Sequence, residues 1–302
     1  MAFDVSALAS DFVKEDPAKV IYKMLAQGST SSLMVVQPNI KSAETINLLA
    51  SRAVWQSGTA CGFSASGDTV ATQRTLTVGK IKLNMKWCDK DLEPTFLQGA
   101  LTAGSSYDTL ALREQILADI AQNINLDVEN AIWQGDTASG NVYLNKFDGL
   151  IKIINAASNE VTATPSAWSV ANSRTALQAV YAALTDDMLA NPKLRVCMGL
   201  SEARDYKMKL SIDNLYHITG MEGKLYLENT DVEIVPVKGL SGTKKIYAIA
   251  LDNMFLGVDL ANEEEKFDLF YAKEADEIRF VSEFKMGVQV AFPDQIVKQV
   301  NT

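Results

Sequence analysis

The chain has 302 residues, of which 47% are hydrophobic and 22% charged, an ordinary composition for a globular protein. It carries 28 Lys and Arg against 37 Asp and Glu, for a formal net charge of −9. This acidic balance disfavours tight binding of nucleic acid through its phosphates, which needs a basic surface. No apolar run approaches the ~20 residues of a membrane span. The length suggests about two domains, or one elaborated domain, that can bury a core without metals or disulfides.

The N-terminal fifty residues predict an arm, because little in them could form an independent core. Residues 1–19 lack a basic region followed by a continuous apolar core, so we do not expect a signal peptide. Residues 17–27 predict a short helix that Gly28 ends, and Pro38 predicts extended chain. Four lysines against five acidic residues make this arm a poor ligand for nucleic acid. The three cysteines, Cys61, Cys88 and Cys197, are odd in number and far apart, which predicts reduced thiols.

Residues 55–88 are rich in small and hydroxylated side chains and predict a long two-stranded ribbon. Between residues 57 and 75 the only large apolar side chains are Phe63 and Val70. The first strand is expected around residues 52–63, with the tip at residues 64–68. The second begins near Thr75, and a change in the parity of its apolar residues predicts a β-bulge at Gly79–Lys80. An isolated ribbon is at best marginally stable in water, so this one must lie on another surface.

Residues 107–134 give the strongest helix prediction in the chain. Apolar residues recur at steps of four, as in an amphipathic helix; they are Leu112, Ile116, Ile120, Ile124, Val128 and Ile132. A helix of this length spans about 40 Å. It presents a long apolar stripe that a sheet can cover.

Strands and helices interleave from residue 150 to 260, which predicts a compact α/β subdomain. FDGLIKII (147–154) predicts a short strand, residues 165–189 a helix, 193–200 a buried strand and 201–210 a helix capped by Ser201. Residues 224–237 and 244–260 each predict a pair of strands. The segment GLSGTKK (239–245) between them predicts a hairpin turn.

The C-terminal region predicts one long half-buried strand. Apolar residues alternate from Ile278 to Phe292, with Ser282 as the one interruption. A bend or turn is expected near Gly287, because the strand is longer than usual, and Pro293 closes it. We expect its apolar face to pack on the stripe of the long helix.

No group of residues predicts catalysis, a cofactor site or a metal site. His217 is the only histidine and has no cysteine at a ligand spacing. GLSGTKK lacks the spacing of a phosphate-binding loop, and residues 262–266 lack the alternating oxygen ligands of a calcium loop. Asp186 and Asp187 are expected to face water at a helix end. The sequence therefore predicts a protein that is not an enzyme.

The order of these parts is an arm, a long ribbon, one long helix, an inserted α/β subdomain and a return strand. ILADIAQNINLDVENAIWQGD (116–136) with FDGLI, and VSEFKMGVQVAFPDQIV (281–297), resemble the spine helix and final peripheral-domain strand of tailed-bacteriophage major capsid proteins. The resemblance covers nearly the whole chain. It lies in the order of the segments and in their residue patterns, and no diagnostic motif is involved. It implies the α+β Hong Kong 97-like fold, which herpesvirus shells share.

The resemblance also implies a division of the chain. Residues 1–45 would be the N-terminal arm and 46–90 the extended loop. Residues 91–150 with 260–302 would form the peripheral domain, and residues 151–259 the axial domain. Some family members crosslink their subunits through a lysine near the loop tip. Residues 53–79 contain no lysine, so we do not expect that crosslink here.

By the same resemblance the function would be structural. Copies would form the pentamers and hexamers of an icosahedral phage capsid, assembled in the host bacterial cytoplasm and located in the virion. The shell would enclose double-stranded DNA without sequence-specific binding, and no membrane is involved. Implied partners are a portal protein and a separate scaffolding protein, with decoration proteins as a further option.

Charge favours a ribbon laid over a neighbouring copy. Residues 51–88 hold five basic groups and one acid, whereas residues 255–283 hold nine acids and three bases. Candidate contacts between subunits are Trp55, Phe63, Arg74, Lys80 and Lys82 on the ribbon side, and Glu263, Glu264 and Glu265 on the acidic side. We expect Arg74 to pair with one of these three glutamates. Each exposed pair contributes only ~0–1 kcal/mol, so the charges fix register more than affinity.

Two alternatives remain open at this point. An encapsulin, a cellular compartment that holds protein cargo, resembles phage capsids in fold, and neighbouring portal and terminase genes or packaged DNA would distinguish them. A two-domain α/β ligand-binding protein or enzyme is the alternative of another class. A monomeric elution profile with a small bound ligand would favour it.

Overall fold

A computed structural model of the chain describes residues 30–55, 67–88, 109–157, 159–164, 167–213, 215, 224–228, 230–259, 268–275 and 277–301. The helix predicted over residues 17–27, residues 56–66 of the ribbon, His217 and the acidic turn at residues 262–266 lie outside these ranges. Within them, no helix has both the length and the apolar character that crossing a membrane would require.

Thirteen strands and five α-helices are described in these ranges. The strands are β1 Val35–Gln37, β2 Ala43–Ala53, β3 Gly67–Thr77, β4 Gly79–Trp87, β5 Val161–Thr162, β6 Leu194–Gly199, β7 Leu225–Tyr226, β8 Glu233–Val237, β9 Lys245–Ala250, β10 Met254–Val258, β11 Asp268–Ala272, β12 Glu277–Val290 and β13 Val297–Val300. The helices are α1 Thr109–Gln134, α2 Leu150–Ala156, α3 Ser173–Ala183, α4 Asp186–Leu189 and α5 Leu200–Ile212. The chain is therefore of mixed α and β structure, as the sequence predicted.

A five-stranded sheet is built around β12. This strand pairs antiparallel with β4, β10 and β11, and β1 adds to β10 in parallel. Burial alternates along most of β12, as predicted, and the strand runs without interruption through Gly287. Phe280, Phe284 and Met286 share one hydrophobic core with Val128 and Ile132 of α1. The predicted packing of the C-terminal strand on the helix stripe is therefore confirmed.

A six-stranded sheet forms the second core. Its strand order is β5-β13-β9-β6-β8-β7, and its core includes side chains of α3 and α5 such as Leu177 and Tyr206. This is the α/β arrangement predicted between residues 150 and 260. Two strands cross the boundaries drawn from the sequence, because β10 belongs to the five-stranded sheet and β13 comes from the C-terminus.

Two strand predictions in this part are wrong. Most of the predicted FDGLIKII strand belongs to α2, because Leu150, Ile151 and Ile154 place their buried side chains at helical spacing. Strands β9 and β10 are not a pair and lie in different sheets. Asn253, which is buried between them, donates to the Phe292 carbonyl over 2.7 Å and accepts from its N–H over 2.6 Å. These bonds fix the turn that carries the chain from one sheet to the other.

The GLSGTKK segment is also not a hairpin turn. It joins β8 to β9, and these strands pair on opposite sides of β6. Gly242 and Lys244 adopt positive φ angles of 75° and 56°. The buried Glu202 carboxylate accepts from the Lys244 N–H over 2.9 Å and the Gly242 N–H over 3.3 Å, which stabilises the turn. Ser201 does not cap α5 as predicted; its hydroxyl donates to Glu202 over 2.6 Å.

An ion cluster closes the loop between α1 and α2. Lys152 Nζ lies 2.7 Å from Oδ1 of Asp136 and 2.7 Å from Oδ1 of Asp148. The hydrogen bond from Lys152 holds the pKa of Asp136 below its usual value. Burial acts to raise the pKa of Asp148, but bonds from Lys152 and Thr137 outweigh it and lower that pKa as well.

Acid should therefore weaken this loop. Because both folded-state pKa values are depressed, their contribution to stability is present above the unfolded value, about 3.9, and is lost as pH falls through the lower folded values. We expect Lys152→Met to destabilise the protein at pH 7 and to make its melting temperature less sensitive to pH below about 4. Thermal melts of both proteins across this range test the prediction. Parallel pH profiles for the two proteins would contradict it.

Candidate assembly surface

Strands β2 and β3 form a separate two-stranded sheet, called the ribbon below. They pair antiparallel along their whole length, from Ala43 opposite Thr77 to Ala53 opposite Gly67. Eleven residues per strand correspond to about 36 Å. A two-stranded ribbon is present as predicted, but its strands differ from the predicted ones. Strand β2 begins at Ala43 instead of near residue 52, and β3 covers Gly67–Thr77 instead of beginning near Thr75. Most of the predicted second strand is β4, which pairs with β12 outside the ribbon.

Among the residues that the structure describes, the ribbon is anchored at one end, called the root. Ile40, Ile46, Leu76 and Val78 are buried together there, with Leu48 and Phe255 half-buried against them. The side-chain amide of Gln289 also donates to the Thr75 carbonyl over 2.6 Å. The root thus fixes the ribbon to the five-stranded sheet.

The predicted bulge at Gly79–Lys80 is wrong, because two different strands meet there. Strand β3 pairs with β2, whereas β4 pairs with β12. The apolar residues switch from even-numbered to odd-numbered positions here, because the chain passes from one sheet to the other. The backbone crosses closely at this point, so that a Cβ on Gly79 would lie 2.0 Å from the Lys146 carbonyl oxygen. A Cβ on Gly287 would lie 2.0 Å from the Thr77 carbonyl oxygen.

Where its side-chain burial is described, the ribbon meets solvent on both faces beyond the root. Neighbouring side chains of a strand point to opposite faces, and the consecutive residues Ala71, Thr72 and Gln73 are all exposed. Gln73 donates across the ribbon to the Asn47 side chain over 2.9 Å. Past the end of β2, Val54 is 54% exposed and Trp55 is 97% exposed. A tryptophan this exposed on a projecting ribbon marks a surface that another molecule can cover.

The charged candidates divide into two groups. Lys82 Nζ lies 3.0 Å from Glu283 of the same chain, and Lys86 Nζ lies 2.8 Å from Glu277. The bond from Lys86 lowers the pKa of Glu277. Part of the charge complementarity seen in the sequence therefore acts within one chain, between β4 and β12.

The other candidates are not brought together by the structure. Arg74 is half-buried and Lys80 exposed, and neither forms an ion pair with any residue that the structure describes. Phe63, Glu263, Glu264 and Glu265 lie outside the described residues. The pairing of Arg74 with one of these glutamates stays a prediction.

The sequence analysis missed an open groove beside the long helix. It has a volume of about 410 Å³ and lies between α1, β4 and the loop at residues 141–146. Its lining is mostly apolar, and Val142 and Tyr143 at its side are 65% and 66% exposed. Asp127 also lines it, and burial raises the pKa of this carboxyl group. No local sequence signal marks the groove, because its lining combines residues of β4, α1, the following loop and Phe284 of β12.

A second missed feature fixes the described N-terminal end of the chain to α1. Thr30 and Glu129 are 1% and 3% exposed. The Glu129 carboxylate accepts from the Thr30 N–H over 3.1 Å and from the Thr30 hydroxyl. The Trp133 indole N–H donates to the same hydroxyl over 2.8 Å. No sequence signal indicated this cluster, because the partner of Glu129 lies 99 residues away in the chain.

Side chains suited to chemistry are few in the described ranges. They contain no group of three or more His, Cys, Asp or Glu residues that could hold a metal ion. Cys197 is buried, and burial raises the pKa of its thiol to about 12, so it is unreactive at neutral pH. Asp186 and Asp187 are exposed in the first turn of α4.

Comparison with known proteins gives matches at the level of structure. No protein-family model matches this sequence, and no curated protein matches it. The fold is similar to a solved chain of the procapsid of satellite phage P4, a structure that includes the size-determination protein. The TM-score is 0.63 and the identity 11%, over 94% of this chain and 99% of that one.

Two further phage structures agree over a similar length. The capsid of Myoviridae phage XM1 matches with a TM-score of 0.58 and 14% identity, covering 92% of each chain. The capsid of cyanophage A-1(L) matches with a TM-score of 0.57 and 14% identity, again over 92% of each chain. Because the likeness covers more than nine-tenths of this chain in all three comparisons, the chain has the α+β Hong Kong 97-like fold.

Proposed function

We propose that the chain is a structural shell protein, without enzymatic activity, that assembles with copies of itself into an icosahedral phage capsid. The observation that carries this proposal is a ribbon about 36 Å long that exposes the consecutive residues Ala71, Thr72 and Gln73, and hence both of its faces, beyond the root. A ribbon of this kind is marginal in water and gains packing when neighbouring copies cover it. The fold shared with phage capsid structures supports the same conclusion.

The division into an arm, an extended loop, a peripheral domain and an axial domain belongs to this proposal. The two hydrophobic cores support two domains, one around β12 and α1 and the other around the six-stranded sheet. In the assembly, the domain with the six-stranded sheet lies around the five-fold and six-fold axes. The ribbon and the domain with α1 join neighbouring copies.

The cargo of the shell is double-stranded DNA held by confinement, not by affinity. A net charge of −9 repels DNA, so filling requires a separate packaging machine at a portal. A scaffolding protein and a portal complete the list of partners. Isolated protein should show no gel shift with duplex DNA at 0.15 M salt, whereas purified virions carry DNA that resists nuclease. A gel shift under these conditions would contradict confinement.

Electron microscopy of the purified full-length chain tests assembly directly. We expect closed particles of uniform diameter or rings of five and six copies, because the ribbon needs neighbours. Sedimentation measures the assembled fraction at each protein concentration. A chain that stays monomeric at all concentrations up to those of crystallisation would overturn the proposal.

Arg74→Glu tests the charge pairing of the ribbon. Reversal removes an attractive pair and adds a repulsive one, ~0–1 kcal/mol for each exposed contact, repeated at every ribbon in the shell. We expect an unchanged melting temperature of the unassembled protein and a higher protein concentration required for assembly. Arg204→Glu, at an exposed position on α5, is the matched control. Assembly of Arg74→Glu at the wild-type concentration would refute the contact.

A further inference from the structure

The ribbon carries an almost fully exposed apolar side chain just past the end of β2. Trp55 is 97% exposed and follows Val54, which is 54% exposed. Tryptophan is among the residues that contribute most to protein interfaces, because one side chain buries ~150–250 Å². A solvated tryptophan at the far end of a projecting ribbon therefore needs a cavity on another surface.

The groove beside α1 is a cavity of matching chemistry. Ile81, Leu83, Ile124 and Val128 supply its apolar floor, and Tyr143 stands at its side. At about 410 Å³ it is roomy enough for an aromatic side chain. Asp127 adds a carboxylate to this lining, and the structure records no hydrogen bond for it among the described residues. An indole has one polar atom, its N–H, and a carboxylate is a suitable acceptor for it.

Trp55 cannot fill the groove of its own chain. Ile46 lies in the buried root, and seven further residues of β2 carry the chain about 23 Å away from it in extended form. The groove starts at Ile81, only three residues after Val78 of the same root. The pairing of β2 with β3 along its whole length holds Trp55 about 23 Å or more from the root, and so apart from the groove. Each copy thus presents one uncovered tryptophan and one open groove.

We infer that Trp55 of one copy docks in the groove formed by α1, β4 and residues 142–143 of a second copy. The inference rests on the proposed function, since it names the site that receives the ribbon in the shell. The contact is head-to-tail: the two surfaces differ, so each copy uses both at once. Such contacts close into rings when the rotation between copies allows it. The indole stacks on the apolar floor and its N–H donates to Asp127.

Fluorescence of Trp55 tests docking separately from assembly. The difference between wild type and Trp55→Phe isolates this tryptophan from Trp87, Trp133 and Trp168. We expect the difference spectrum of unassembled protein to resemble a solvated indole and to be quenched by acrylamide. In assembled shells it should shift to shorter wavelength and lose most of its quenching. Shells in which Trp55 stays fully quenchable would overturn the inference and leave the proposed shell function standing.

A photo-crosslinker identifies the surface that receives residue 55. Benzoylphenylalanine at this position, in shells mixed from ¹⁴N- and ¹⁵N-labelled chains, should give intermolecular crosslinks to residues 81–85, 124–131 or 142–143. Crosslinks that map to any other surface of the neighbour would refute the groove as the docking site. Absence of shells from unmodified wild-type protein would instead count against the proposed function itself.

A double-mutant cycle measures the coupling of the two surfaces. Trp55→Ala and Val142→Glu each change an exposed residue, so both proteins should keep the wild-type melting temperature. Each should raise the concentration required for assembly by at least about tenfold. The double mutant should be little worse than either single mutant, because both remove the same contact. Met208→Glu, at a 51% exposed apolar residue on α5, is the control. Fully additive effects would contradict direct docking.

Discussion

Gly287→Ala is expected to destabilise the protein by about 3 kcal/mol or more. The added methyl group would lie 2.0 Å from the Thr77 carbonyl oxygen and 3.0 Å from the Val78 Cα. These are backbone atoms, which cannot move aside as the end of a flexible side chain can. Either β12 or the root of the ribbon must shift, and both belong to the cores described above. Urea unfolding of the unassembled protein, monitored by far-ultraviolet circular dichroism, measures the change.

Gly140→Ala is the matched control for this substitution. A Cβ on Gly140 would have no other atom within 4 Å, so its unfolding free energy should stay close to the wild-type value. Gly79→Ala should behave like Gly287→Ala, because its Cβ would lie 2.0 Å from the Lys146 carbonyl oxygen. Wild-type stability of Gly287→Ala would show that the strands do not cross as closely as described.

Glu129→Ala is expected to cost about 2–4 kcal/mol of unfolding free energy. The substitution leaves the buried Thr30 N–H without its acceptor and opens a cavity beside Trp133. Glu129→Gln should have a smaller effect, because the amide keeps one oxygen acceptor for the two donors of Thr30. Chemical unfolding gives the free energies. Hydrogen exchange at residues 30–34 should also speed up in Glu129→Ala, since the cluster holds this segment on α1.

An exposed residue of the same helix supplies the control. Asn123→Ala lies on the solvent side of α1 and should leave both stability and exchange unchanged. If Glu129→Ala matched this control, the buried carboxylate would contribute nothing net to the fold. Its hydrogen bonds would then only compensate for the burial of its charge.

Long periodic segments were the part of the fold that the sequence could predict. The stripe of α1 and the alternation of β12 each repeat over many residues, so one pattern outweighs local exceptions. Their mutual packing followed because both present long apolar faces of similar length. The ribbon was predicted from the opposite signal, a shortage of side chains able to form a core.

Features fixed by partners distant in sequence could not be predicted. The segment of residues 150–156 is short and mostly apolar, and a run of this length fits a strand or a buried helix turn equally well. The apparent bulge near Gly79 was a change of pairing partner, which only the sheet topology reveals. The Thr30–Glu129 cluster joins residues 99 apart in the chain, and the groove is formed by several different elements. The charge difference between residues 51–88 and 255–283 was also only a partial guide to contacts between copies. Lys82 and Lys86 pair with glutamates of their own chain.

Anchoring at one end gives the ribbon the mechanics of a lever. Two paired strands twist and bend far more easily than either packed sheet, and the root holds one end still. A rotation of roughly 5° at the root moves the far end of a lever about 36 Å long by about 3 Å. Copies of one sequence can thus meet at slightly different angles while their interiors stay the same. A curved surface made of identical pieces needs this kind of tolerance.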